Sequence, residues 1–162
     1  MLETLASWHP FIVHFAVAFS IGSAMFDVID FFFPRRRFEE TGLLLVITAL
    51  PFLLLAVLTG NLAEAYVGGL EHMATTVENH VRYANIGVWL FAAAGLWRLF
   101  LHFGKQYHRG RKVAYVFIVT AAAMSLYLAA LHGGKIRHEN MALPTDILRS
   151  EAVMQNPIES DL

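Results

Sequence analysis

The sequence predicts an all-α fold: an antiparallel four-helix transmembrane bundle with both termini outside the cytoplasm. Three observations predict it. The 162-residue chain is 57% hydrophobic and only 15% charged, with a mean hydropathy of +0.52, which is too apolar for a soluble domain of this length. Residues 10–33, 42–63, 81–103 and 113–132 form four apolar stretches, each as long as the roughly 20 residues that carry a helix across a hydrocarbon core. Basic residues gather in alternate connections: Arg35, Arg36 and Arg37 after the first stretch, and Lys105, Arg109, Arg111 and Lys112 after the third. The positive-inside rule puts those two connections in the cytoplasm and the termini on the other side.

Each stretch carries its own signals. The first opens with Trp8-His9-Pro10: tryptophan suits the membrane interface, and proline suits a first helical turn, where its missing N–H would have been unpaired anyway. It has no Lys or Arg before it, and Asp27, Asp30 and Pro34 follow in place of a small-residue cleavage site, so it is read as a retained helix and not a signal peptide. Ala18 and Gly22 give it a small-residue pair for close helix contact. The second stretch contains Pro51, expected to kink it, with Thr48 placed to satisfy the freed backbone. The connection that follows carries Glu64, Glu71, His72, Glu78 and His80, and its residues 66–80 are expected to form a short helix or ordered lid. The third helix is expected to start near His80. The fourth is Ala-rich and ends at His132-Gly133-Gly134, where glycine would cap the helix. Residues 1–134 therefore form the transmembrane domain and residues 135–162 a polar extracytoplasmic tail.

Six of the eight histidines (His9, His14, His72, His80, His132 and His138) fall at one end of such a bundle, the extracytoplasmic rim. A cluster of imidazoles at membrane helix ends is the raw material of a haem or metal site. His14 lies one turn inside the first helix. His80, at a helix start, is kept neutral by the dipole there, and neutral imidazole is the ligating form. These two are the expected ligand pair, with His132, His72 and His9 as further cofactor-binding candidates and Glu64 and Glu78 as groups that orient them or accept a proton. Each imidazole has an ordinary alternative as a hydrogen-bonding core or interface residue. His102 and His108 sit with the basic connection on the inner side and read as interface residues. Asp27 and Arg98 lie toward the cytoplasmic ends of their helices; each alone is costly at that depth, so they are expected to form a structural ion pair, the alternatives being that each snorkels inward or that they serve a proton path.

The chain has no cysteine, which excludes disulfides, thiolate ligands, iron–sulfur clusters and covalent c-type haem. No Gly-rich phosphate loop or nucleic-acid motif is visible.

At Trp8-His9-Pro10-Phe11-Ile12-Val13-His14-Phe15 the chain resembles a bacterial family of predicted membrane proteins, domain of unknown function 2231. The family pattern is His-Pro-x-x-Val-His-Phe-Pro, which His9, Pro10, Val13, His14 and Phe15 match; Ala16 stands where the family usually has proline. The resemblance extends to Thr59-Gly60, to His80, and to Gly133-Gly134 followed by His138-Glu139, so it covers nearly all of residues 8–138. It implies a multi-pass four-helix domain in the bacterial inner membrane and brings no settled activity. Relatives joined to cytochrome-like modules tilt it toward redox.

Together these readings give the expectation of a haem b-binding electron-transfer subunit of a respiratory or photosynthetic membrane complex. Its cofactor would lie near the periplasmic face, and it would exchange electrons with a periplasmic cytochrome or a quinol. The alternatives are a copper, zinc or iron site without porphyrin, built from several histidines and the nearby glutamates, and a non-redox accessory or scaffold subunit.

Overall fold

The computed structural model describes residues 2–64, 74–104 and 109–155, all helical apart from short turns. The helices are α1 (Leu2–Ser7), α2 (His9–Phe32), α3 (Arg36–Glu64), α4 (Ala74–Phe103) and α5 (Arg109–Gln155). Four of them hold segments long and apolar enough to cross a membrane: His9–Phe32, Arg36–Ala63, Ala74–Phe103 and Gly110–Ile136.

The boundaries follow local chemistry. The chain breaks at Trp8 because Pro10, in the first turn of α2, has no N–H to give back to α1. Pro34 closes α2, and the Phe33 N–H turns back onto the Ile29 carbonyl. Arg36 and Arg37 were expected in a loop but open α3, so the turn shrinks to residues 33–35. Thr48 bonds the Leu44 carbonyl at 2.9 Å, and not Ile47, whose carbonyl is the one Pro51 leaves without a donor.

Two expectations are corrected. The helix holding His80 begins at Ala74, so His80 sits well inside α4 and the dipole at the helix start is not what governs it. Gly133-Gly134 does not cap α5, which runs on to Gln155. Nothing forces φ positive at a Gly-Gly pair, and here Gly133 is used for close packing while Gly134 faces open space. The lid expected over residues 66–80 lies outside the described residues up to residue 73; its last part belongs to α4.

The dominant packings are α4 on α5 and α2 on α3, with α2 on α5 next and a thinner α3–α4 seam. That order makes α2 and α4 diagonal partners across the bundle axis. The core is Ala16, Val46, Ala49, Leu53, Phe91, Ala94, Val119, Ala122, Ala123 and Leu126 among others. Small residues bring the backbones together, as helices in lipid require when no hydrophobic effect drives them. At Gly87 a Cβ would stand 2.7 Å from the Leu126 side chain and 3.0 Å from its backbone nitrogen. The outward faces are apolar: Phe11, Leu44, Leu54, Trp89, Leu96, Phe100 and Phe117 are all exposed, the surface expected to meet lipid.

Candidate functional site: a histidine pair at one end, an ion cluster at the other

One end of the bundle gathers the first turns of α2 and α4 with the last membrane turns of α3 and α5. There His9 of α2 and His80 of α4 meet across the bundle axis, ring centres 6.4 Å apart and ring planes perpendicular. Both are half-buried. His9 Nδ1 lies 3.0 Å from Thr59 Oγ1 on α3. Thr59 Oγ1 in turn donates to the Leu55 carbonyl at 2.8 Å. His80 Nδ1 donates to the Ala129 carbonyl of α5 at 2.8 Å.

Glycine makes room for both rings. A Cβ on Gly60 would stand 3.0 Å from His9 Cε1, and one on Gly133 would stand 3.0 Å from His80 Cε1 and 3.1 Å from its Nδ1. The short sequence features His9, Thr59-Gly60, His80 and Gly133 therefore converge on a single place. Each imidazole rests on a glycine of a neighbouring helix and is anchored through Nδ1.

The other candidates are arranged differently. His14 is exposed on α2, and its Nδ1 turns back to the Pro10 carbonyl at 2.5 Å. The structure thus seats His9, and not His14, against His80. His132 bonds the Leu128 carbonyl of its own helix at 2.8 Å and packs its ring 5.4 Å from that of Tyr83. Because α5 continues past it, a helix-end charge effect does not apply to His132. His138 and Glu78 are exposed, and the rings of His9 and His80 are anchored by a hydroxyl and a carbonyl, where carboxylates had been expected. His72, His108 and the Glu64 side chain lie outside the described residues. His102, at the opposite end, is exposed beside Phe103. Among the described residues no group of three His, Cys, Asp or Glu side chains is arranged to hold a metal ion.

The opposite end holds a buried ionic cluster. Asp27 and Arg98 are both fully buried, with Arg98 Nη2 3.6 Å from Asp27 Oδ1. Tyr115 Oη donates to Asp27 Oδ2 at 2.8 Å. Arg98 also donates to the Glu39 carbonyl at 3.2 Å and lies 3.9 Å from the Glu39 carboxylate. Lys112 of α5 forms an ion pair with the buried Asp30 and donates to its backbone carbonyl at 3.2 Å. Asp30 Oδ1 accepts the Arg35 N–H at 3.1 Å. The carboxylate of Asp27 presses on the bare backbone of Gly42, where a Cβ would stand 2.5 Å from Oδ1.

Sequence reasoning paired Asp27 with Arg98 but missed Asp30, Lys112, Tyr115 and Glu39. The signal for one of these, Asp30, was present: Ser20, Ser23, Asp27 and Asp30 recur at helical spacing and form one buried face of α2.

The family whose sequence model matches residues 6–141 is described as a predicted membrane protein, DUF2231. No curated protein and no solved structure matches the chain.

Proposed function

The chain belongs to the DUF2231 family of predicted membrane proteins, and on that premise we propose that it is a membrane electron-transfer subunit. Its His9–His80 pair would hold a haem iron near the periplasmic face of the bacterial inner membrane. The bundle is antiparallel in this reading, with both termini outside. The alternation of basic connections supports that orientation.

One observation carries the proposal: two half-buried imidazoles on diagonal helices, each anchored through Nδ1. Metal-ligating histidines characteristically give their other ring N–H to a carbonyl or similar acceptor, which fixes the tautomer and raises the basicity of the ligating nitrogen. Both rings then keep a lone pair on Nε2. The ring centres, 6.4 Å apart, are close enough for a single ion to be shared between the two imidazoles.

His9 and His80 would hold the iron through their ring nitrogens, Thr59 and the Ala129 carbonyl would hold the rings, and the lipid-facing helices would exclude water. When bound, haem iron supplies one-electron chemistry whose potential is set by its axial ligands and their hydrogen bonds.

A second reading, a bare copper, zinc or iron ion between the same nitrogens, has a specific support of its own. The rings are packed tightly on Gly60 and Gly133, a seat that suits a small ion. A visible absorption spectrum of the purified protein, as isolated and after hemin addition, separates the two. A Soret band with a reduced-minus-oxidised signal supports haem. A stoichiometric metal without that band supports the bare ion. The absence of both, in protein shown to be folded, overturns both readings.

A further inference from the structure

Resting on that reading of the site, we propose that Thr59 is its positioning residue. In this role Thr59 fixes His9 as the Nδ1–H tautomer, so that Nε2 is the nitrogen offered to a ligand.

A threonine hydroxyl has one proton and accepts with its lone pairs. Thr59 Oγ1 stands 2.8 Å from the Leu55 carbonyl and 3.3 Å from the Ala56 carbonyl, both of which can only accept. The hydroxyl proton is therefore committed to the backbone of α3. What Thr59 turns toward His9 Nδ1, at 3.0 Å, is a lone pair. Nδ1 must carry the hydrogen in that contact, and in a neutral ring Nε2 is left bare. His80 reaches the same state by an independent route, since the Ala129 carbonyl opposite its Nδ1 also only accepts. On α3 the His9 ring meets the Thr59 oxygen and, beside it, the Ala56 carbonyl; on α5 the His80 ring meets the Ala129 carbonyl.

Thr59 is only 5% exposed, so water is poorly placed to replace its oxygen. Gly60, next in sequence, holds Cε1 of the same ring. Thr59-Gly60 is in this sense one seat: the threonine sets the hydrogen and the glycine sets the fit.

Threonine to valine keeps the shape and removes the acceptor, whereas threonine to serine keeps the acceptor. The test uses full-length, histidine-¹⁵N-labelled protein without added metal and reads the ring-nitrogen shifts of each tautomer. The expected result is Nδ1–H for both His9 and His80 in the wild type and in Thr59→Ser. In Thr59→Val, His9 alone should move toward Nε2–H while His80 stays as it was. A wild-type His9 found as Nε2–H, or a His9 unchanged by Thr59→Val, overturns the proposal.

A second measurement titrates hemin. Loss of such an outer hydrogen bond typically costs ten- to a hundredfold in affinity, so Thr59→Val should weaken hemin binding by about that factor and Thr59→Ser should restore it. Wild-type protein that takes up no hemin overturns the haem reading, while the nitrogen shifts still decide the role of Thr59.

Discussion

His9 and His80 differ from the other described histidines in where their Nδ1 hydrogen goes: to a neighbouring helix, where His14 and His132 bond within their own. An imidazole bonded within its own helix is held by that helix alone. One bonded across the bundle is fixed relative to the opposite ring. If the pair holds haem as proposed, His9→Ala or His80→Ala should abolish the reduced-minus-oxidised difference spectrum, whereas His14→Ala and His102→Ala should leave it intact. Loss of the signal in His14→Ala, with His9→Ala unaffected, would move the centre to the other histidine of the first motif.

The ion cluster makes a separate prediction at the same scale. Arg98→Met leaves Asp27 buried without its partner, and breaking a buried pair in this way costs about 3–5 kcal/mol. Adding Asp27→Asn removes the stranded charge, so the double variant should recover much of the loss. Unfolding in mixed micelles, read as a double-mutant cycle, measures it; plain additivity would count against the pair. Tyr115→Phe should cost about 1.5–3 kcal/mol, the usual worth of a hydrogen bond to a charged group.

Among the elements, the close approach of α4 to α5 is the most exposed to test. Gly87 sits against Leu126 with no room for a methyl group, and the Ser125 hydroxyl bonds the Tyr83 carbonyl across the same seam at 2.8 Å. Gly87→Ala should destabilise the bundle by about 1–3 kcal/mol, the usual effect of overpacking. An unchanged thermal transition in detergent would mean that the two helices part more easily than their packing implies.

The existence of four spans was legible in the sequence because length and apolarity alone decide it. Helix ends were less so. Polar residues such as Arg36 and Thr75 continue a helix beyond the lipid as readily as they leave it, and Gly133-Gly134 reads as a cap unless a ring packs on it. The site was legible by residue type but not by partner. His9 and His14 are both present in the motif, and which one faces inward depends on the rotation of α2. The buried Ser20, Ser23, Asp27 and Asp30 would have revealed that rotation, since the face that holds them also holds His9 and leaves His14 outside.

For the whole molecule, the orientation proposal has a direct measure. A periplasm-active reporter at the C-terminus and a cytoplasm-active one between Phe33 and Arg36 should both work in cells; the reverse pattern would put the histidine pair on the cytoplasmic side. The two polar centres then occupy opposite leaflets. Eighteen residues of α2 separate His9 from Asp27, about 27 Å at 1.5 Å per residue. Between them Ala16, Ala49, Leu53, Phe91, Ala122 and Leu126 fill the interior.

That apolar layer has an electrical consequence. The membrane voltage falls across the hydrocarbon, where a full crossing changes the energy of one elementary charge by about 2.3 kcal/mol per 100 mV. A charge that enters and leaves at the outer pair traverses almost none of that fall. If that pair holds the proposed redox centre, its reduction by an external donor in proteoliposomes should proceed at the same rate with or without a potassium diffusion potential. A rate that rises or falls steeply with the imposed voltage would mean that charge travels the length of the bundle. A flat response would mark the protein as a conductor along the membrane surface and an insulator across it.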